Sequence, residues 1–200
     1  MQSEEIKPLI FVIFGASGDL ARRKLVPAVY DLFKHKLLPE NFVLLGVSRS
    51  KLSDEDFRNK AFLDNDLYSI DGESEEHKKG FAEKLFYQAI DTNEEADYSK
   101  VADRLKELDK QFSTEGNVIF YLSTPPVLYE KIPRFLAAHG LNDASTGYRR
   151  LVIEKPFGYD LKTAQNLNKS IKEHFPEEEI YRIDHYLSNN PSSGWIRITS

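Results

Sequence analysis

Leu9-Ile-Phe-Val-Ile-Phe14, running directly into Gly15-Ala-Ser-Gly18-Asp-Leu20, is the stretch on which the fold turns. The first six residues are apolar, mostly β-branched or aromatic, and show no polar alternation, which is the pattern of a strand buried on both faces of a parallel sheet. Gly15 and Gly18 then allow a tight turn and a close backbone approach to whatever sits above it. A helix that starts there offers free amide N–H groups to an anion such as a pyrophosphate. The pattern differs from the full dinucleotide fingerprint G-x-G-x-x-G, because Ile13 stands where the first glycine belongs. It is no Walker loop either, since Gly18 is not followed by Gly-Lys-Ser or Gly-Lys-Thr. Taken alone, the segment fits a nucleotide cradle or a ligand-free strand-to-helix turn.

Further apolar runs repeat the theme at Phe42–Val47, Val118–Leu122 and Leu151–Ile153, with Ile180–Ile183 as a weaker fifth. Between them the spacing turns helical. Leu25, Val29, Leu32 and Phe33 make one stripe within Leu20–His35, a segment that Pro27 must kink or restart. Ser53-Asp-Glu-Asp56 has the form of a capping box. Tyr98, Val101, Leu105, Leu108 and Phe112 form a second stripe, and Leu128, Ile132, Phe135 and Leu136 a third that Gly140 ends. Asp160 caps a fourth, carrying Leu161, Ala164, Leu167 and Ile171. Asp64–Lys79 is polar and acidic and reads as a long surface loop. Strand and helix alternating in this way predict right-handed crossovers and an α/β fold, a doubly wound, mainly parallel Rossmann-like sheet with helices on both faces.

Composition narrows the function. Two hundred residues, 40 % hydrophobic and 30 % charged, suit one soluble domain. The longest apolar run is far below the roughly 20 residues a membrane helix needs, and the N-terminus lacks a basic signal segment, so a cytoplasmic protein with no membrane partner is expected. No cysteine is present, which removes disulfides, thiolate metal sites and cysteine nucleophiles. A net charge of -5 argues against nucleic acid but leaves room for a small anionic ligand held by a local basic cluster. No metal site is expected.

Three places offer chemistry. The second strand ends in Val47-Ser-Arg49-Ser50, where an NAD-preferring fold would place a carboxylate for the ribose hydroxyls. An arginine between two serines offers a charge-assisted fork to a 2′-phosphate instead, which points to NADP. After Ile153 comes Glu154-Lys-Pro-Phe-Gly158, with Lys155 at a strand end and Pro156 fixing the turn, so that the lysine can donate into a cleft. Tyr181-Arg-Ile-Asp-His-Tyr-Leu187 packs an acid, an imidazole and a phenol into one turn, and His185 suits an anion. The histidines at 35, 77, 139 and 174 sit singly in polar contexts and read as surface residues.

These motifs, together with Phe14–Ala28 and Tyr121-Leu-Ser123, resemble the glucose-6-phosphate dehydrogenase family, in order from about residue 10 to 187. The resemblance implies that Gly15, Ala16, Ser17, Gly18, Asp19 and Leu20 cradle the NADP pyrophosphate and that Arg49 takes the 2′-phosphate. It implies that Lys155 bonds the sugar and touches the nicotinamide side, that His185 and Tyr186 grip the phosphate of glucose 6-phosphate, and that Asp184 orients the catalytic histidine. The reaction so implied moves hydride from C1 of glucose 6-phosphate to NADP and gives the 6-phosphogluconolactone of the pentose phosphate pathway. Its general base is a histidine of a second, β+α domain that also forms the homo-oligomer interface. Residues 1–187 match the coenzyme domain, while Ser188-Asn-Asn190 replaces the family's Gly-Lys-Glu and residues 188–200 diverge. A coenzyme domain lacking the base is therefore expected, either as part of the enzyme or as a non-catalytic NADP-binding module, with this chain alone inactive.

Overall fold

The computed structural model describes residues 7–64, 74–155 and 161–184. Its centre is a six-stranded, all-parallel sheet in the order β3-β2-β1-β4-β5-β6. The strands are β1 (Leu9–Phe14), β2 (Phe42–Ser48), β3 (Leu85–Ala89), β4 (Val118–Leu122), β5 (Arg149–Lys155) and β6 (Ile180–Asp184). The chain builds outward from β1 to β3, crosses back, and builds outward again from β4 to β6. The order therefore reverses between β1 and β4, and a crevice opens there above the carboxyl ends.

Right-handed crossovers decide which face each helix covers. Helices α1 (Val26–Lys34), α2 (Asp54–Arg58) and α3 (Glu75–Ala82) pack on one face, where Tyr30, Phe57, Phe62 and Phe81 are all at most 2 % exposed against Ile13, Leu44 and Leu85. Helices α4 (Tyr98–Phe112), α5 (Lys131–Ala138) and α6 (Leu161–Lys172) cover the other face with Tyr98, Leu108, Ile132, Leu136 and Ile171. Their partners are the alternate strand residues Ile10, Val12, Phe14, Phe120, Leu122, Leu151 and Ile153. Fully burying each such side chain stabilises the fold by roughly 1.5–3 kcal/mol, so the two faces carry most of the driving force.

The capping box forms as the sequence predicts: Ser53 Oγ accepts from Asp56 N–H at 3.0 Å, and the Asp56 carboxylate accepts from Ser53 N–H at 3.0 Å. The bond from Ser53 N–H first, and one from the Ser53 hydroxyl second, hold the Asp56 carboxyl below its ordinary value. Two expectations are corrected, at β3 and in the acidic stretch. The sheet gains a strand, β3, whose Leu85-Phe-Tyr-Gln-Ala89 is too short and too polar at its end to stand out as an apolar run. As Pro27 requires, Leu20–His35 is divided: Ala21–Leu25 winds as a π-turn and α1 restarts at Val26, with Pro27 in its first turn. The acidic stretch is not all loop, since α3 starts at Glu75 and drives Phe81 and Ala82 into the core. The histidines at 35 and 77 are exposed, and those at 139 and 174 are half-buried. No helix among the described residues is long and apolar enough to cross a membrane.

Candidate functional site

Above the carboxyl ends of β1, β2 and β4 lies a cleft of about 490 Å³. Its floor is the turn after β1. Gly15 adopts φ +84°, and a Cβ there would sit 2.1 Å from the Ser123 carbonyl oxygen, so only glycine fits between β1 and β4. The turn is stitched to both neighbours: Gly15 N–H donates to Val47 O at 2.8 Å, Ser123 N–H donates to Phe14 O at 3.0 Å, and Gly18 N–H closes back on Gly15 O at 2.9 Å. Ile13, in the place of the absent fingerprint glycine, is fully buried under α1 and faces no ligand.

Of the six loop residues expected to hold the coenzyme, Gly15, Ser17 and Gly18 line the cleft. The other three do different work. Ala16 is buried beneath the turn, at the spot a Cβ on Gly46 of β2 would need, 2.9 Å away. Asp19 pairs with Arg23 at 2.6 Å on the surface, where such a pair contributes little. Leu20 leads into the π-turn.

The side wall is the end of β2. Arg49 and Ser50 are exposed and Ser48 is buried, and all three line the cleft. Ser48 Oγ donates to Ser17 Oγ at 2.8 Å, and Ser50 Oγ donates to the same oxygen at 3.1 Å. A hydroxyl that accepts twice keeps its own hydrogen for a further acceptor, so Ser17 can donate outward beside Arg49. Among the described residues of the lining Arg49 alone carries a charge, and none is a carboxylate. The far wall is Thr92, Ser123, Thr124, Pro125 and Leu128. Thr124 Oγ1 is buried with no hydrogen-bond partner among the described residues, an orphaned group that a ligand would satisfy. Arginine, free hydroxyl hydrogens, a glycine turn and an unpartnered hydroxyl together fit a phosphorylated dinucleotide.

Lys155 and Asp184 end neighbouring strands and are register partners, so the fold sets their main chains side by side at the carboxyl edge. Both lie on the far side of β4 from the glycine turn. His185, Tyr186 and Pro156 fall outside the described residues. Next to Lys155, the Glu154 carboxylate accepts from the Tyr121 hydroxyl at 2.5 Å, which ties β5 to β4. Burial first, and Glu154 second, push the Tyr121 phenol far above its ordinary value. Burial, reinforced by the same carboxylate, pushes Tyr129 up to about 12. Thr92, Thr124 and the Tyr121–Glu154 bond escaped the sequence reading. Thr124 carried a usable signal, since it follows a strand whose carboxyl end faces the same crevice.

A family model described as glucose-6-phosphate dehydrogenase, NAD binding domain, matches residues 12–191. The chain belongs to that family. Curated relatives agree: it is 48 % identical over 194 residues to glucose-6-phosphate 1-dehydrogenase of Aggregatibacter actinomycetemcomitans, covering 92 % of this chain and 39 % of that protein. Against the enzyme of the same name from Treponema pallidum the identity is 47 % over 186 residues, covering 92 % and 36 %. A solved glucose-6-phosphate dehydrogenase in complex with its substrate glucose-6-phosphate superposes with a TM-score of 0.81 at 30 % identity, over 93 % of this chain and 38 % of that one. The chain thus spans under two fifths of the length of these relatives, and what it shares with them is the domain of the family that binds the nicotinamide coenzyme.

Proposed function

We propose that this chain is the part of a glucose-6-phosphate dehydrogenase that binds NADP and holds it for hydride transfer from C1 of glucose 6-phosphate. One observation carries the coenzyme choice. The β2 end presents Arg49 between Ser48 and Ser50, with Ser17 beside them and no carboxylate among the described lining residues. A guanidinium and hydroxyl donors suit a 2′-phosphate dianion, whereas ribose hydroxyls would want an acceptor.

In this reading the pyrophosphate lies over Gly15–Gly18, with the 2′-phosphate between Ser17, Arg49 and Ser50 and the nicotinamide half running toward the ends of β4 and β5. The coenzyme itself supplies the hydride acceptor. Lys155 and Asp184, brought together in register, are assigned to the sugar and to orienting the proton acceptor, with His185 and Tyr186 on the sugar phosphate. Family membership and the substrate complex of a 30 % identical relative support this assignment. Turnover to the lactone, oligomer formation and a place in the pentose phosphate pathway of the cytoplasm are proposed for the whole protein.

The test is Arg49→Ala in calorimetric titration. A hydrogen-bonded pair of opposite charges is worth about 1.5–3 kcal/mol, so NADP affinity should fall roughly 10- to 150-fold while NAD affinity stays within about twofold. Equal losses for both coenzymes would overturn the assignment of Arg49 to the 2′-phosphate.

A further inference from the structure

Arg49 is exposed and its own side chain does not fix the segment that carries it; its neighbours are held from below by one buried residue on β3. The Tyr87 hydroxyl has one hydrogen and two acceptors in reach, the Ser50 carbonyl oxygen at 2.7 Å and Ser48 Oγ at 2.6 Å, and shares that hydrogen between them. It therefore clasps the chain on both sides of Arg49, at a side chain before it and a carbonyl after it. Tyr87 is only 5 % exposed, and burial raises its phenol above the ordinary value, so it stays a neutral donor. Its own placement is fixed at both ends. The Tyr87 N–H donates to Asp54 Oδ1 at 2.7 Å, and Asp54 Oδ2 accepts from Arg104 of α4 at 2.6 Å. The ring lies 5.1 Å from that of Phe57, which fills the space over Gly46.

Ser48 has one hydrogen and two oxygen neighbours, Ser17 and Tyr87. Accepting from Tyr87, it donates to Ser17, and the Ser17 hydrogen is left for the cleft. Tyr87 thereby touches the donor set for an anion without reaching the cleft itself, since it is absent from the lining.

We propose that Tyr87 is a positioning residue that sets the preference for a 2′-phosphate, by holding Ser48 and Ser50 so that Arg49 and Ser17 point their donors at one place. The proposal rests on the NADP reading above. It goes beyond it in assigning selectivity to a buried side chain that makes no contact with the coenzyme.

The experiment uses the 200-residue chain and two probes that differ only in the group concerned, adenosine 2′,5′-bisphosphate and 5′-AMP, titrated by calorimetry. Tyr87→Phe keeps the ring and removes the clasp. The affinity ratio of the bisphosphate to AMP should fall about five- to tenfold, with AMP affinity within about twofold of the original. A ratio left unchanged, or equal losses for both probes as a purely structural defect would give, overturns the proposal. If Tyr87→Phe does not fold, Ser48→Ala breaks the same bond from the other end and must lower the ratio in the same direction; an unchanged ratio overturns it equally. If the original chain shows no preference between the probes, it is the NADP reading that falls, which separates the two failures.

Discussion

The β1–β3 half of the sheet and the β4–β6 half are built from the same strand and helix units, yet they prepare for function in opposite ways. The first is covered on both faces, by α1, α2 and α3 on one and α4 on the other, and its cleft wall carries glycines, one arginine and serines joined by hydroxyl bonds. In the second, the face away from α5 and α6 shows Ile119, Arg150, Val152, Glu154 and Tyr181, all partly exposed, and among the described residues the cluster on that face has Phe11, Ile119 and Tyr148 at its border. Arg150 stacks there over the rings of Tyr148 and Tyr181, at 4.2 Å and 5.6 Å. A preformed cradle with rigid hydroxyl geometry suits a coenzyme that must be recognised by one phosphate. In the proposed function, the strand ends bearing Lys155 and Asp184 serve the reacting half of the ligands, where charge must be supplied and proton positions controlled.

This contrast predicts that changes in the first half alter coenzyme selection, whereas changes in the second alter stability and leave selection alone. The largest effect belongs to the hinge between the halves. Gly15→Ala should destabilise the chain by roughly 2–4 kcal/mol in denaturant unfolding and abolish measurable NADP binding, because the added Cβ meets the Ser123 carbonyl and the φ is strained. Gly140→Ala, also at positive φ but with open space around it, should cost about 1 kcal/mol and leave binding intact. Similar losses at both positions would mean that the turn tolerates what the geometry forbids.

Next in size is Ser17→Ala, which removes the outward donor. NADP affinity should weaken about tenfold with little change for NAD, as read by fluorescence titration. Tyr121→Phe sharpens the other side of the comparison. Losing its bond to Glu154 should lower stability by about 1 kcal/mol without moving the ratio of NADP to NAD affinity, and a moved ratio would show that the halves are coupled.

The smallest effect is one of pH. The buried phenols of Tyr121 and Tyr129 have folded-state values above the ordinary 10.0, so the stability they contribute is present below pH 10.0 and is lost as pH rises toward the folded values. Tyr129→Phe, with no phenol to ionise, should lose less stability than the original chain between pH 10.0 and about 12. Parallel curves for the two proteins would remove Tyr129 from that linkage.

The legible parts of the molecule are those where a single local rule decides. Unbroken apolar runs announced β1, β2, β4 and β5, and the capping box at Ser53 appeared as spaced. β3 was missed because Lys84 precedes it and Gln88 and Ala89 end it, so only Leu85, Phe86 and Tyr87 read as strand; its identity comes from pairing with β2. For the site, glycine spacing and the absent acid at Arg49 sufficed to point at a phosphorylated coenzyme. The hydroxyl network joining Ser17, Ser48, Ser50 and Tyr87 could not be read in the sequence, since its bonds span 31 to 39 residues and form only when β1, β2 and β3 align. Distant small polar residues carry no periodic signal, and the register of the sheet is what brings them together.

The central claim is that the β2 end selects a 2′-phosphate, and its most direct test is the ratio of NADP to NAD dissociation constants for the unaltered chain, measured by calorimetry at fixed ionic strength. The account predicts NADP tighter by at least about tenfold, the equivalent of one charge-assisted contact. Equal constants for the two coenzymes would contradict it.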